Sequence, residues 1–91
     1  MSAAIDILKA RVERQEKDLA QKAIDAKASK EKYEELTRLL QEVPEKDKQR
    51  GKVEAQQQKR LAENQKAVDE FEKLRLRLEE NREMLAILES K

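Results

Sequence analysis

The sole proline and the sole glycine of this chain, Pro44 and Gly51, lie in one short stretch almost at its midpoint, Val43-Pro44-Glu45-Lys46-Asp47-Lys48-Gln49-Arg50-Gly51-Lys52. On either side run about forty residues without a helix breaker. Proline removes a backbone donor and pushes the residue before it out of the helical region, and glycine loosens the backbone. The simplest fold for such a chain is helix, turn, helix. This predicts an all-α protein of one domain spanning residues 1–91, with helix 1 over 3–43, a turn over 44–51 and helix 2 over 52–90.

Composition says what such helices can bury. Charged residues are 45% of the chain and hydrophobic ones 37%, and Tyr33 and Phe71 are the only aromatics. That is too little apolar surface for an ordinary globular core, but enough for the single seam of a two-stranded coiled coil. Cys and His are both absent, which excludes disulfides, thiol nucleophiles, imidazole acid–base work and the commonest zinc sites. No cofactor is expected. Lys and Arg number 21 against 20 Asp and Glu. The two signs are mixed along the chain, so no block is basic enough to track a phosphate backbone. No run of about eighteen apolar residues is present to span a membrane, and the start, Met1-Ser2-Ala3-Ala4-Ile5-Asp6, lacks the pattern of a secretion signal. A cytoplasmic or nuclear setting is the expectation.

Helix 1 carries a heptad register without a slip. With Ile5 at a, the a positions are Ile5, Val12, Leu19, Ala26, Tyr33 and Leu40, all apolar or aromatic. The d positions are Leu8, Gln15, Lys22, Ser29, Leu36 and Val43, polar through the middle. Ala20, Ala23, Ala26 and Ala28 surround that polar stretch, and an alanine seam buries little area at roughly 25 cal/mol per Å². Either the polar residues are tolerated in a weak waist, or they fix register and leave a place where the hairpin can open. Ser2 is positioned to cap the helix, with Asp6 in its first turn.

Two versions of the turn compete. In one, residues 44–50 form a loop and helix 2 begins near Gly51 or Lys52. In the other, Pro44 opens helix 2, with Glu45 and Asp47 in an acidic first turn. No apolar residue stands between Pro44 and Val53, so a helix there has no seam to bury, and the loop is favoured. The exposed basic residues of the tip, Lys46, Lys48, Arg50 and Lys52, are offset by Glu45 and Asp47.

The register of helix 2 places Gln57, Asn64, Phe71, Leu78 and Leu85 at a, and Val53, Arg60, Ala67, Leu74, Asn81 and Leu88 at d. Folding it back on helix 1 as an antiparallel coiled-coil hairpin brings Leu8 to Leu85, Leu19 to Leu74, Ala26 to Ala67 and Leu40 to Val53. Ser29 and Asn64 meet as a polar layer, and Ile5 joins Leu88 at the open end. Val12 near Asn81, Gln15 near Leu78 and Lys22 near Phe71 are mismatches. Ile24, Leu39, Leu61, Val68, Leu76 and Ile87 point away from the seam. They are either scattered exposed residues or a second, broken stripe for a partner, and a homodimer would use it to complete a four-helix arrangement. An extended rod, with the helices running on through the turn, is the alternative architecture.

Catalysis has little to work with, because the carboxylates lie among lysines on wet helix faces and a general acid or base needs a dry pocket. The leading reading is a non-catalytic protein-binding or structural coiled-coil module: a spacer, oligomerisation unit or adaptor in a larger assembly, touching a protein partner or itself through its helices. A client-binding holdase chaperone is the second reading. A weak nucleic-acid module through the basic turn and Arg75, Arg77 and Arg82 is the third, opposed by the interleaved Glu79, Glu80 and Glu83.

Overall fold

A computed structural model describes residues 2–90. It contains two helices of 40 residues each, α1 (Ala3–Glu42) and α2 (Arg50–Glu89), lying side by side as a hairpin of 70 × 14 × 14 Å. The radius of gyration is 20.3 Å, against about 12 Å for a globular domain of this length. The molecule is a rod. The chain reverses at the Pro44–Gly51 stretch, and the extended alternative does not form.

Each helix end has a local cause. Ser2 takes the extended backbone of an N-cap and its carbonyl accepts the first helical bond, from the Asp6 N–H at 3.3 Å, but its hydroxyl makes no capping bond. The end of α1 is set by proline. Val43, held before Pro44, is extended (φ −86°, ψ 124°), and its N–H folds back to the Leu40 carbonyl at 3.3 Å. The loop is then wound by two short backbone bonds, Asp47 N–H to Pro44 O at 3.0 Å and Arg50 N–H to Asp47 O at 3.2 Å. The Asp47 carboxylate accepts the Gln49 N–H at 2.8 Å, an aspartate-stabilised turn.

The helix boundaries at the turn differ from those read from the sequence. α1 stops one residue earlier, and α2 starts at Arg50 rather than near Lys52, while Pro44 opens no helix. Arg50 explains the early start. Its guanidinium reaches back from the first turn of α2 and donates to the Leu40 carbonyl at 3.1 Å and to the Val43 carbonyl, while its Nε binds Glu54 at 3.0 Å. It serves the Val43 carbonyl and gives a second donor to the Leu40 carbonyl, which already accepts the Val43 N–H. α1 has no basic residue in its own last turn, so Arg50 supplies that charge from the other helix.

Gly51 therefore sits inside the first turn of α2. Its φ is not positive, and a β-carbon there meets nothing within 4 Å. Gly51→Ala is expected to raise stability by about 0.5 kcal/mol through the loss of unfolded-state freedom, read as a higher urea midpoint at unchanged slope.

The core is thin. Leu8, Val12, Leu40 and Leu78 are the buried hydrophobic residues among those described, and Leu78 alone is nearly sealed, at 1% exposure. Between these apolar contacts the seam carries polar ones. Asn81 donates to Gln15 at 2.8 Å, Asn64 to Ser29 at 3.0 Å and Gln57 to Thr37 at 3.0 Å, while Lys22 reaches Glu70 at 3.1 Å. Each step up α1 matches a step down α2. The stagger also removes two mismatches: Gln15 meets Asn81 rather than facing Leu78, and Lys22 bonds Glu70. Among the described residues, no buried side-chain nitrogen or oxygen lacks a hydrogen-bond partner, so the polar layers carry no unpaired group.

Candidate functional site

The residues of the heptad register fall on protected positions. Besides the four buried residues, Ile5, Leu19, Ala26, Tyr33, Leu36, Val53, Ala67, Phe71, Leu74, Leu85 and Leu88 are half-buried along the seam. At the waist the Asn64 amide donates both to the Ser29 hydroxyl and, at 3.2 Å, to the Ala26 carbonyl. The Ser29 hydroxyl itself donates to Ala26 O at 2.8 Å. Small residues at 26 and 67 let these short side chains span the two helices.

The outward residues are arranged differently from a single stripe. Leu61 is half-buried against the seam rather than turned away. Ile24, Leu39, Val68, Leu76 and Ile87 are exposed, and so are Ile7 and Met84, which the sequence reading left out. The seven do not share a face. Ile24 and Leu76 lie opposite the seam, each on its own helix, and Val68 is on one flank. Ile7, Leu39, Met84 and Ile87 occupy the other flank, at heptad positions c and g. The signal for Ile7 and Met84 was present: both hold c or g positions, the same two that place Leu39 and Ile87.

The two flanks of the rod contrast. At the open end one flank is closed by ion pairs between the helices, Lys9–Glu89 at 3.2 Å and Glu16–Arg82 at 3.0 Å. The c and g flank instead carries three separate hollows, the middle one bordered by the Lys22–Glu70 pair at 3.1 Å. Its open-end hollow, about 260 Å³, is lined by Ala4, Ile7, Leu8, Arg11, Met84 and Leu88. A waist hollow of about 420 Å³ lies beside Asp18, Asp25, Glu70, Lys73 and Arg77, and one of about 310 Å³ near the turn holds Leu36 and Leu39 among charged neighbours. These are shallow troughs between two cylinders. They fit the ridge of another helix better than a small molecule, which a binding pocket encloses on most sides.

Three arginines of the basic clusters are occupied, while Arg77 enters none of the ion pairs among the described residues. Arg50 is turned inward on carbonyls and Glu54, which leaves Lys46, Lys48 and Lys52 at the tip. Arg75 is forked between Glu72 and Glu79, both at 2.8 Å. The hydrogen bond to Glu72, then the charges of Glu72 and Glu79, push its guanidinium further up from the ordinary arginine value. Arg82 is bound to Glu16. Arginines neutralised this way have few donors left for phosphates.

Among the described residues no group of three or more acidic side chains is arranged to hold a metal ion, and no helix is long and apolar enough to cross a membrane. What the surface offers is helical ridges, grooves and charge. No protein-family model, curated protein or solved structure matches this chain.

Proposed function

We propose that the chain is a non-catalytic coiled-coil module whose two helices pack in antiparallel register and whose work is to hold an elongated surface against other helices. It serves as a spacer, oligomerisation unit or adaptor. The observation that carries this reading is the imbalance between core and surface. Among the described residues, four hydrophobic side chains are buried while seven large ones stay exposed on a 70 Å rod. An accessible surface of 7279 Å² for 10.7 kDa compares with about 5,500 Å² for a compact monomer of that mass. A chain built this way gains most from a partner of similar shape, because a helix laid in a groove buries apolar ridges along its whole length. The polar layers suit the same role by fixing one register.

Ile7→Asp with Ile87→Asp tests the reading. Both side chains are 61% exposed, so the pair is expected to change the urea midpoint little while cutting association, with itself or with other proteins, by tenfold or more (about 1.4 kcal/mol). The measurement is binding of wild type and variant side by side at equal helicity. Equal binding by the two would overturn the reading.

A further inference from the structure

We infer that the grooved flank packs against the same flank of a second copy, about a two-fold axis parallel to the rod, to give a four-helix bundle with both open ends together. This deepens the proposed function by naming the partner. In this arrangement α1 of one copy lies over α2 of the other at the same height, and the heights are fixed within each chain by the Ser29–Asn64, Thr37–Gln57 and Lys22–Glu70 contacts.

Charge placement picks out this geometry. At matching heights on the c and g lines, Arg14 stands across from Glu80 and Asp18 from Arg77. Further along, Lys32 faces Glu63, Glu35 faces Lys59 and Glu42 faces Lys52. All ten of these residues are exposed. At the open end Ile7 meets Ile87, both 61% exposed. The single like-charged meeting is Asp25 with Glu70, and Glu70 is already held by Lys22 at 3.1 Å.

Within the chain none of these five pairs is in ion-pair contact among the described residues, although Asp18 and Arg77 border the same hollow. Among the described residues the ion pairs that join the two helices are Lys9–Glu89, Lys22–Glu70 and Glu16–Arg82, and none belongs to the set. The outermost pairs, such as Glu35 with Lys59, flank the groove on either side, so a helix of the second copy is what brings opposite charges into contact. Complementary charge of this kind sets partner choice and orientation in coiled coils.

The opposite orientation, with open ends apart, is poorer. It lays α1 on α1 and α2 on α2, so that Arg14 meets Lys32, Lys66 meets Lys73 and Glu70 meets itself. The favourable meetings Arg11–Glu35, Lys59–Glu80 and Glu63–Arg77 outnumber these by only one across the two-fold axis. A standard interface removes about 800 Å² per partner, close to half of the surface by which this chain exceeds a compact monomer.

Sedimentation equilibrium with charge-swap variants, and one spin label, test the inference. The wild type is expected at twice 10.7 kDa. Glu35→Lys with Glu42→Lys raises the dimer dissociation constant about tenfold or more, and adding Lys52→Glu with Lys59→Glu restores it at unchanged helicity. The chain has no cysteine, so Ala86→Cys carries a unique label on the open end, away from the groove. Parallel copies place the two labels within about 30 Å, given helix diameters; the opposite orientation separates them by nearly the 70 Å of the rod. Distant labels, or charge reversal without effect or without rescue, would overturn the inference. A helical monomer at millimolar concentration would overturn it too, yet leave the broader reading standing if the Ile7 and Ile87 variant still loses a different protein partner.

Discussion

Leu78→Ala is expected to remove about 3 kcal/mol of stability, the largest loss from a single side chain in this molecule. Among the described residues Leu78 is the one that is essentially sealed, at 1% exposure. It lies a short way in from the open end, where the seam also holds Leu8 and Val12, at 6% and 7%. A rod one seam wide has no second layer to move into the space left by the missing carbons. A domain of this length is stable by about 5–10 kcal/mol in all, so the change removes a third or more of it and lowers Tm by roughly 15 °C. Urea unfolding followed by circular dichroism measures it. Leu76→Ala is the control: that leucine is 51% exposed, and its loss should stay within about 0.5 kcal/mol. Equal losses at 76 and 78 would mean that the helices meet on a different face.

Arg50→Ala is expected to cost about 1–2 kcal/mol, the lower part of the range for a charged hydrogen bond because the side chain is 28% exposed. Its effect on geometry exceeds its effect on energy. The Leu40 and Val43 carbonyls lose the guanidinium that ties the end of α1 to the start of α2. The distribution of distances between labels on the two helices near the turn should broaden, while the distribution at the open end stays narrow. Arg50→Lys should recover less than half the loss, since an ammonium lacks the planar fork that reaches two carbonyls and Glu54 together. Lys48→Ala, at an exposed tip residue, should leave both readouts unchanged.

The helical hairpin was legible because two residues marked the turn and periodicity marked the helices. The a and d positions counted from Ile5 fall on protected residues along the whole of α1. Apolar spacing is a direct record of which face meets a partner, and a breaker-free helix keeps that spacing over its full length. The helix termini were less legible. Val43 reads as part of α1 although proline forces the residue before it to extend, and the lack of an apolar residue between Pro44 and Val53 puts the start of α2 near Gly51 or Lys52, later than its start at Arg50. Nothing local in the sequence shows a guanidinium reaching back across a turn to carbonyls seven and ten residues earlier.

The candidate surface was half legible. Leu39 and Ile87 were picked out, but Ile24, Val68 and Leu76 were grouped with them although they lie on different sides of the rod. Leu61 was placed outside the seam, where Gln57 and Arg60 were expected to fill it; the seam is broader there and takes in Leu61 as well. Which flank stays open depends on where the ion pairs between the helices form. Lys9–Glu89 and Glu16–Arg82 join the helices on one side at the open end, and Lys22–Glu70 joins them on the other side at the waist.

The meeting of both helix ends at Lys9 and Glu89 has a mechanical consequence. Tension applied to the two open ends of the helices loads the seam one layer at a time, from Ile5 and Leu88 inwards, and each layer gives way before the next is strained. The half-polar waist adds little resistance to such peeling. Tension between the tip and either end, by contrast, loads every layer in shear at once. The same rod is therefore soft to a pull that separates its ends and stiff to a pull along its axis. An assembly that hangs from the tip would be held firmly, and one that tugs the ends apart would open it like a zip.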